Sequence, residues 1–430
     1  MNTAASEPRV GALPERLREI GAQLRDTRAF WHPNAFRSPR LAWEDALPDL
    51  SAALRELDSA AIARLQCDPL AHDRFLAPWF PVARWRELEH VALAVQRPLA
   101  PWPRDCDRDV PGRKWSQVLC FAASVEPVRP LRGVDWCAGK AHLARALAVQ
   151  WGNPGFVALE RDRALVEAGA WLAVRAGLDV RTVACDVMGE GVRGLLEEPA
   201  HLVALHACGP LHRRLLDLAL AAAAPALSLV PCCYHLGADG HLPRSRAGRE
   251  CSPGLAADDL RTAVQETVTA GGHARRRRER LQAWQLGVDA LLRYLDPGSA
   301  YLPLPSVPAT VLSGDFARFC AFVTERQGLL LPQELDHAHW EATGRQRFRE
   351  VSALDLVRQR FRRMIELWVV LDLAVALEES GYRVRLETFC ERPVSPRNLL
   401  LQARREVPLS RSGSPLAPHA GAKQQNTQSC

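Results

Sequence analysis

Lysine is almost missing from this 430-residue chain: it occurs only at Lys114, Lys140 and Lys423, within a combined lysine and arginine count of 55. Arginine carries nearly all the positive charge, as a GC-rich coding bias produces, so its abundance alone says little about a basic partner. Two of the three lysines fall in or just before one motif, where a compact ammonium is not interchangeable with a planar guanidinium. Long apolar runs are also missing. None reaches the roughly 20 residues that span a bilayer, and the alanine run at 221–224 is ended by Pro225. No membrane association is expected. The first ten residues, MNTAASEPRV, lack the apolar centre of a secretory leader. The 12 cysteines fall short of the density of a disulfide-stapled scaffold. They predict reduced thiols and a cytoplasmic location. The net charge of +6 leans basic, compatible with a nucleic acid or another anionic partner.

Glycine is scarce where it would be most telling. From Leu131 to Leu147 the chain reads LRGVDWCAGKAHLARAL. Val134 and Trp136 lead past Asp135 into Cys137, Ala138, Gly139, Lys140 and Ala141, and Leu143, Ala144, Leu147 and Ala148 follow at helical spacing. The pattern is strand, small-residue turn, helix. Such a turn brings backbone close to a nucleoside and aims free helix N–H groups at it. A dinucleotide fingerprint has three glycines; here only Gly139 remains, with Cys137 and Ala141 in the outer places. An ordinary turn in an α/β core is the plain alternative.

Residues 1–109 read as a helical N-terminal domain, with apolar positions three and four apart. A turn at Pro111-Gly112 opens a helix with Arg113 and Lys114 at its start, the wrong end for dipole stabilisation of cations. They serve an anionic contact or simple solvation. From Leu131 strands and helices alternate: a strand in 155–162 ending at Glu160, one in 179–187 ending at Asp186, one in 201–210 ending at His206, and one in 226–236 ending in Pro231, Cys232, Cys233, Tyr234 and His235. This alternation predicts a parallel sheet with helices on both faces. Ligands of such sheets lie beyond the carboxyl ends of the strands, where these polar residues fall. Residues 110–236 form the core of the expected domain and 237–355 a helical or irregular insertion. Residues 356–407 give a long helix (356–382) and two closing strands, and 408–430 a disordered tail. The arginine run 275–278 reads as a solvated helix face, with a phosphate-tracking patch as the minority alternative.

Three acids at consecutive strand ends suit S-adenosylmethionine better than a pyrophosphate. Glu160 would accept both ribose hydroxyls, Asp186 the adenine amino group with Val187 on the ring face, and Asp135 would hold the turn near a sulfonium. NAD shares the strand-two acid but wants the missing glycines.

The set Asp135-Trp-Cys-Ala-Gly139-Lys140-Ala-His142-Leu143, Ala158-Leu-Glu160, His206-Ala-Cys-Gly209, Pro231-Cys-Cys-Tyr-His235 and Ser395-Pro-Arg-Asn398 resembles class I methyltransferase-domain proteins. That family includes eukaryotic tRNA 2′-O-methyltransferases with a Cys-Cys-His-His signature and methyltransferase-like proteins with a terminal Ser-Pro-Arg-Asn motif. The resemblance covers about 110–236 and 380–405. It departs at Cys137 and Ala141, where glycines are common, and at Tyr234, where the tRNA enzymes carry His. It implies a doubly wound seven-stranded Rossmann-like α/β sheet, S-adenosylmethionine as cofactor, and RNA (tRNA or rRNA) as substrate. Cofactor contacts then fall on Asp135, Cys137, Gly139, Lys140, His142, Glu160, Asp186, Val187 and His206. Substrate contacts fall on Arg113, Lys114, Arg397 and Asn398.

Methyl transfer needs donor and acceptor positioned and a proton removed. His206 and His235 are the candidate bases, since imidazole titrates near neutrality. Tyr234, Cys232 and Cys233 complete the catalytic candidates, a cysteine acting as thiol nucleophile. Cys208, Cys232, Cys233 and His235 also invite a metal. Adjacent residues on a strand point to opposite faces, so the expectation is no metal. The rival functions are a non-catalytic nucleoside- or RNA-binding protein and a nicotinamide oxidoreductase.

Overall fold

The structure, a computed structural model, describes residues 12–103, 106–237, 239–265, 272–304, 306–332 and 334–405. The tail expected from 408 onward lies outside the described residues. The chain opens with helices α1 (Leu13–Asp26), α2 (Arg28–Trp31), α3 (Trp43–Ala46), α4 (Pro48–Arg55), α5 (Ser59–Cys67), α6 (Pro69–Leu76) and α7 (Val82–Glu89). Helix α8 (Gly112–Ser124) leads into β1 (Arg132–Trp136), α9 (His142–Trp151), β2 (Phe156–Glu160), α10 (Arg163–Arg175), β3 (Val180–Ala184), β4 (Ala200–Cys208), α11 (Pro210–Ala221) and β5 (Ala226–Cys232). Then come α12 (Arg246–Glu250), α13 (Ala257–Val264), α14 (Gly272–Leu295), α15 (Ala309–Leu312), α16 (Phe316–Gln327), α17 (His337–Arg360) and α18 (Arg362–Glu379), and a hairpin of β6 (Tyr382–Thr388) and β7 (Leu399–Arg405) closes the chain. Aspartates start many of these helices. Asp58, Asp68, Asp162, Asp315 and Asp336 each accept a hydrogen bond from an otherwise unpaired first-turn N–H. No described helix is long and apolar enough to cross a membrane.

The strands form one seven-stranded sheet in the order β3-β2-β1-β4-β5-β7-β6. Neighbours from β3 to β5 are parallel, and β7 is antiparallel to both β5 and β6. The direction of winding reverses between β1 and β4, which opens a crevice at their carboxyl ends. One sheet face packs Trp136, Leu159 and Leu202 into a core that also holds Trp368 of α18 and Leu17, Ile20 and Trp85 of the opening helices. The other face packs Ala158, Val203 and Val230 against Phe121 of α8 and Leu147 and Trp151 of α9. The opening helices thus share a core with the sheet through α18. A separate cluster around Trp284, Phe316 and Phe319 holds α14 and α16 together.

Strand boundaries differ from the sequence expectation where they bear on function. Strand β3 stops at Ala184, two residues before Asp186, and β4 runs past His206 to Cys208. Strand β5 stops at Cys232, because Cys233 takes a left-handed backbone with φ 48°. The expected helix 356–382 divides at Phe361, whose ring is buried beside Trp85 at a centroid distance of 4.8 Å.

Helix α18 carries a buried carboxylate, Asp372, inside an otherwise apolar stretch. It accepts bonds from His241 Nε2 (2.9 Å), the Arg244 N–H (2.7 Å), and the Ser245 N–H (3.0 Å) and hydroxyl (2.7 Å). Burial works against its charge, but His241 and these donors together hold its carboxyl below the usual range. The group pins the chain after β5 onto α18. Replacing Asp372 by Ala strands several buried donors and is predicted to lower stability by about 3–5 kcal/mol. Denaturant unfolding measures this, and a loss under about 1 kcal/mol would contradict the pinning role.

Candidate functional site

The turn after β1 has an unusual backbone. Cys137, Gly139 and Ala141 all lie in the left-handed region, at φ 59°, 57° and 56°. The two outer residues adopt the conformation that glycine would adopt freely, at about 1–2 kcal/mol each. Three bonds hold the turn: the Ala138 N–H to the Leu159 carbonyl, the Gly139 N–H to Glu160 Oε2, and the Ala141 N–H to the Ala138 carbonyl, each 2.9 Å. A Cβ built on Gly139 would meet nothing within 4 Å, so the turn faces open space. Lys140 reaches toward Asp109 at 3.9 Å. His142 is buried and paired with the Arg145 guanidinium. Burial, then Arg145, Lys114 and Lys140, drive its pKa down to about 3.

Glu160 accepts from three backbone N–H groups: Gly139 on Oε2, and Arg161 (2.8 Å) and Asp162 (3.0 Å) on Oε1. Asp135 is buried and accepts the Ala144 N–H at 3.0 Å, tying β1 to the first turn of α9. Burial pushes its carboxyl up to about 7, against the Ala144 bond and Lys114, with Glu160 adding repulsion. Asp186 is exposed and accepts the Met188 N–H at 3.0 Å. Val187 is buried in the core. The Cys137 thiol stands among these acids: burial pushes it up to about 12, and Glu160, Asp135, Cys208 and Asp186 push the same way. The three strand-end acids therefore share one neighbourhood around the Gly139 turn.

The ends of β4 and β5 supply the second half of the site. His206 sits at an irregularity in the β4–β5 pairing, between Leu205 and Ala207, with φ 63°. Its Nε2 lies 2.9 Å from Gln117 Oε1, and Gln117 Nε2 donates to the Val394 carbonyl at 2.9 Å. Burial, then Arg397, with Lys114 and Arg113, hold the imidazole down at about 4. The four residues from three distant segments thus gather at one place. Asn398 instead ties its loop, donating to the Cys390 carbonyl at 2.7 Å.

Two expectations need correction. Tyr234 does not face the crevice as a proton-transfer group: it is 2% exposed, and its hydroxyl is bonded to the Pro231 carbonyl and Glu366. The neighbouring cysteines Cys232 and Cys233, expected on opposite faces, do not diverge. The left-handed turn at Cys233 takes it off the strand, and the sulfurs of Cys208, Cys232 and Cys233 all lie within 4.8 Å of one another. His235 follows, with Nδ1 buried and unpartnered among the described residues. Gln117 was not foreseen. Its signal is its place one helical turn after Arg113 and Lys114.

Residues 113–239 match a family described as a methyltransferase domain. The match takes in α8, the Gly139 turn, all three acids, His206 and the cysteine cluster, and it supports a class I methyltransferase. A search of curated proteins finds no match to the chain.

Beside the methyltransferase segment, a cavity of about 360 Å³ is lined by Arg86, Arg360, Arg362, Arg363 and Arg392, with Asp73 and Glu89 among them. A second, of about 170 Å³, shares Arg362, Arg363 and Arg392 and extends to Arg397 and Asn398.

Asp135 gives a pH test. Its folded pKa is raised, so the folded state holds the proton longer than the unfolded chain. Its contribution is therefore most favourable below pH 4 and is lost as pH rises toward 7, by at most about 1.4 kcal/mol per pH unit. Asp135→Asn keeps an acceptor for the Ala144 N–H but cannot ionise. Denaturant unfolding at pH 5 and pH 8 is predicted to show a smaller stability loss in the variant than in the native chain. Equal losses would place Asp135 in contact with water.

Proposed function

We propose that this chain is an S-adenosylmethionine-dependent methyltransferase that modifies RNA. The observation that carries the cofactor assignment is the gathering of Asp135, Glu160 and Asp186 around the open Gly139 turn. When bound, S-adenosylmethionine supplies an electrophilic methyl group on a sulfonium.

Glu160 is the ribose anchor. A carboxylate has roughly four acceptor sites, and three are taken by backbone N–H groups. One remains for a ribose hydroxyl, so the two-oxygen grip expected from the sequence requires Arg161 or Asp162 to release its bond. Asp186 accepts at the adenine edge, while buried Val187 supports that loop from below rather than lying flat on the ring. Asp135 fixes the entry of α9 from behind the turn through its bond to the Ala144 N–H. His206, oriented by Gln117, is the base, with Arg113, Lys114 and Arg397 beside it as phosphate contacts. The two arginine-lined cavities meet at Arg362, Arg363 and Arg392, and the second reaches Arg397; this positive surface suits a polyanion better than a small neutral acceptor. A cytoplasmic location belongs to the same proposal and is supported by a cysteine density that suits reduced thiols.

Three measurements check the reading. Glu160→Gln removes the charge and is predicted to weaken S-adenosylmethionine binding at least tenfold in calorimetry, with the circular dichroism spectrum unchanged; native affinity would rule out the ribose anchor. Incubation with methyl-labelled donor and total cellular RNA is predicted to label RNA, and the label should disappear on nuclease treatment. Arg397→Ala should lower RNA affinity and flatten its salt dependence by about one unit of log–log slope. Label only in a protein fraction would reject RNA as substrate.

A further inference from the structure

The cysteine cluster has no part in the chemistry above, yet its geometry is specific. Cys208 and Cys232 are paired neighbours across β4 and β5, at the last register position of that ladder. Their sulfurs are 2.9 Å apart. Cys233 would point to the opposite face if β5 continued. Its φ of 48° ends the strand and turns it to the side of the other two, so that all three sulfurs lie within 4.8 Å of one another. A left-handed backbone is disfavoured for cysteine by about 1–2 kcal/mol, and here it produces a convergence of thiols. In a tetrahedral zinc site with Zn–S bonds near 2.3 Å, sulfurs stand about 3.8 Å apart. Cys208 and Cys232, at 2.9 Å, would move apart by roughly 0.9 Å to hold an ion, and the other pairs lie within 4.8 Å. The cluster lies beneath the surface: Cys232 is buried, and Cys208 and Cys233 are half-buried.

A further observation points to a cation. His235, two residues beyond Cys233, has a buried Nδ1 with no hydrogen-bond partner among the described residues. A buried polar atom without a partner is rare in native proteins and calls for an explanation such as an ion. Thiolate is the form that ligates a metal. The donor set, soft sulfur with one imidazole, selects zinc over magnesium or calcium.

We propose that Cys208, Cys232 and Cys233 bind one zinc ion as thiolates at the carboxyl ends of β4 and β5, and that His235, whose ring nitrogens lie outside the 4.8 Å sulfur cluster, turns in as the fourth ligand when the ion binds. On binding, each thiol gives up its proton to solvent, and no oxidation is involved. The site fastens the turn after β5 to the end of β4, beside His206 and Arg397. It does not rest on the methyl-donor reading, because metal content and donor affinity are measured separately.

The test starts with the full chain purified under reducing conditions, dialysed against zinc at a buffered low concentration and analysed by plasma mass spectrometry. One zinc per chain is expected. Cys208→Ser and Cys233→Ser are expected to lower zinc affinity at least 100-fold and His235→Ala at least tenfold, whereas Cys67→Ser, at an exposed position remote in sequence, keeps full occupancy. Cobalt(II) added to the metal-free native chain should give sulfur-to-cobalt charge-transfer bands. Should the serine variants fail to fold, alkylation mapping of the native chain replaces them: Cys208, Cys232 and Cys233 become labelled only after a chelator strips the zinc. Absence of zinc from the reduced native chain overturns the site, as does zinc retained by folded Cys233→Ser. A native mass two hydrogens short, mapped to a Cys208–Cys232 disulfide, overturns it too, as does alkylation indifferent to chelator.

Discussion

The bond from the Gly139 N–H to the Glu160 carboxylate is the joint on which the site depends. It fastens the turn after β1 to the end of β2, and it holds Gly139 in the left-handed region between two residues that reach that region under strain. Two non-glycine residues there disfavour the turn by about 2–4 kcal/mol in total. A hydrogen bond to a charged acceptor returns about 1.5–3 kcal/mol, and packing of Ala141 into the core beneath α9 supplies the rest. The same carboxylate is the ribose anchor of the proposed function. Fold and ligand therefore compete for its lone pairs, and the free chain already uses most of them.

The sheet was legible in the sequence because its strands are short apolar runs separated by helices of 3.6-residue period. Each run between 131 and 236 became a strand, and the two runs near 383 and 398 became the closing hairpin. Glu160, Asp186 and His206 fell near the crevice because polar residues that interrupt such runs mark strand ends. What could not be read was backbone conformation. Alternation along a strand holds only while the strand continues. One left-handed residue at Cys233 reverses the inference for the cysteines, and one at His206 moves that histidine off the regular ladder. Tyr234 failed for a related reason: the turn that exposes its neighbours buries its ring, and a buried Glu366 on a helix 132 residues away bonds its hydroxyl. Gln117 has one weak signal in the sequence, its place a helical turn after Arg113 and Lys114. It becomes meaningful only when α8 is seen to lie across the end of β4.

Charge is arranged in two zones around the crevice. Acids surround the turn after β1, and arginines with Lys114 surround the ends of β4, β5 and the loop before β7. The first zone suits a cationic sulfonium nucleoside, the second a phosphate-bearing acceptor, and the reacting atoms would meet where the zones adjoin, near His206. Loop 391–398 belongs to both the fold and the site: Gln117 holds Val394, Asn398 holds Cys390, and Arg397 reaches toward His206.

In the proposed function the acidic rim around Gly139 receives a sulfonium nucleoside. The most direct measurement is isothermal titration of the full chain with S-adenosylmethionine, S-adenosylhomocysteine and NAD at neutral pH. Micromolar or tighter binding of the first two, one per chain, and none of NAD, is expected. Binding of NAD alone, or of none of the three, would contradict it.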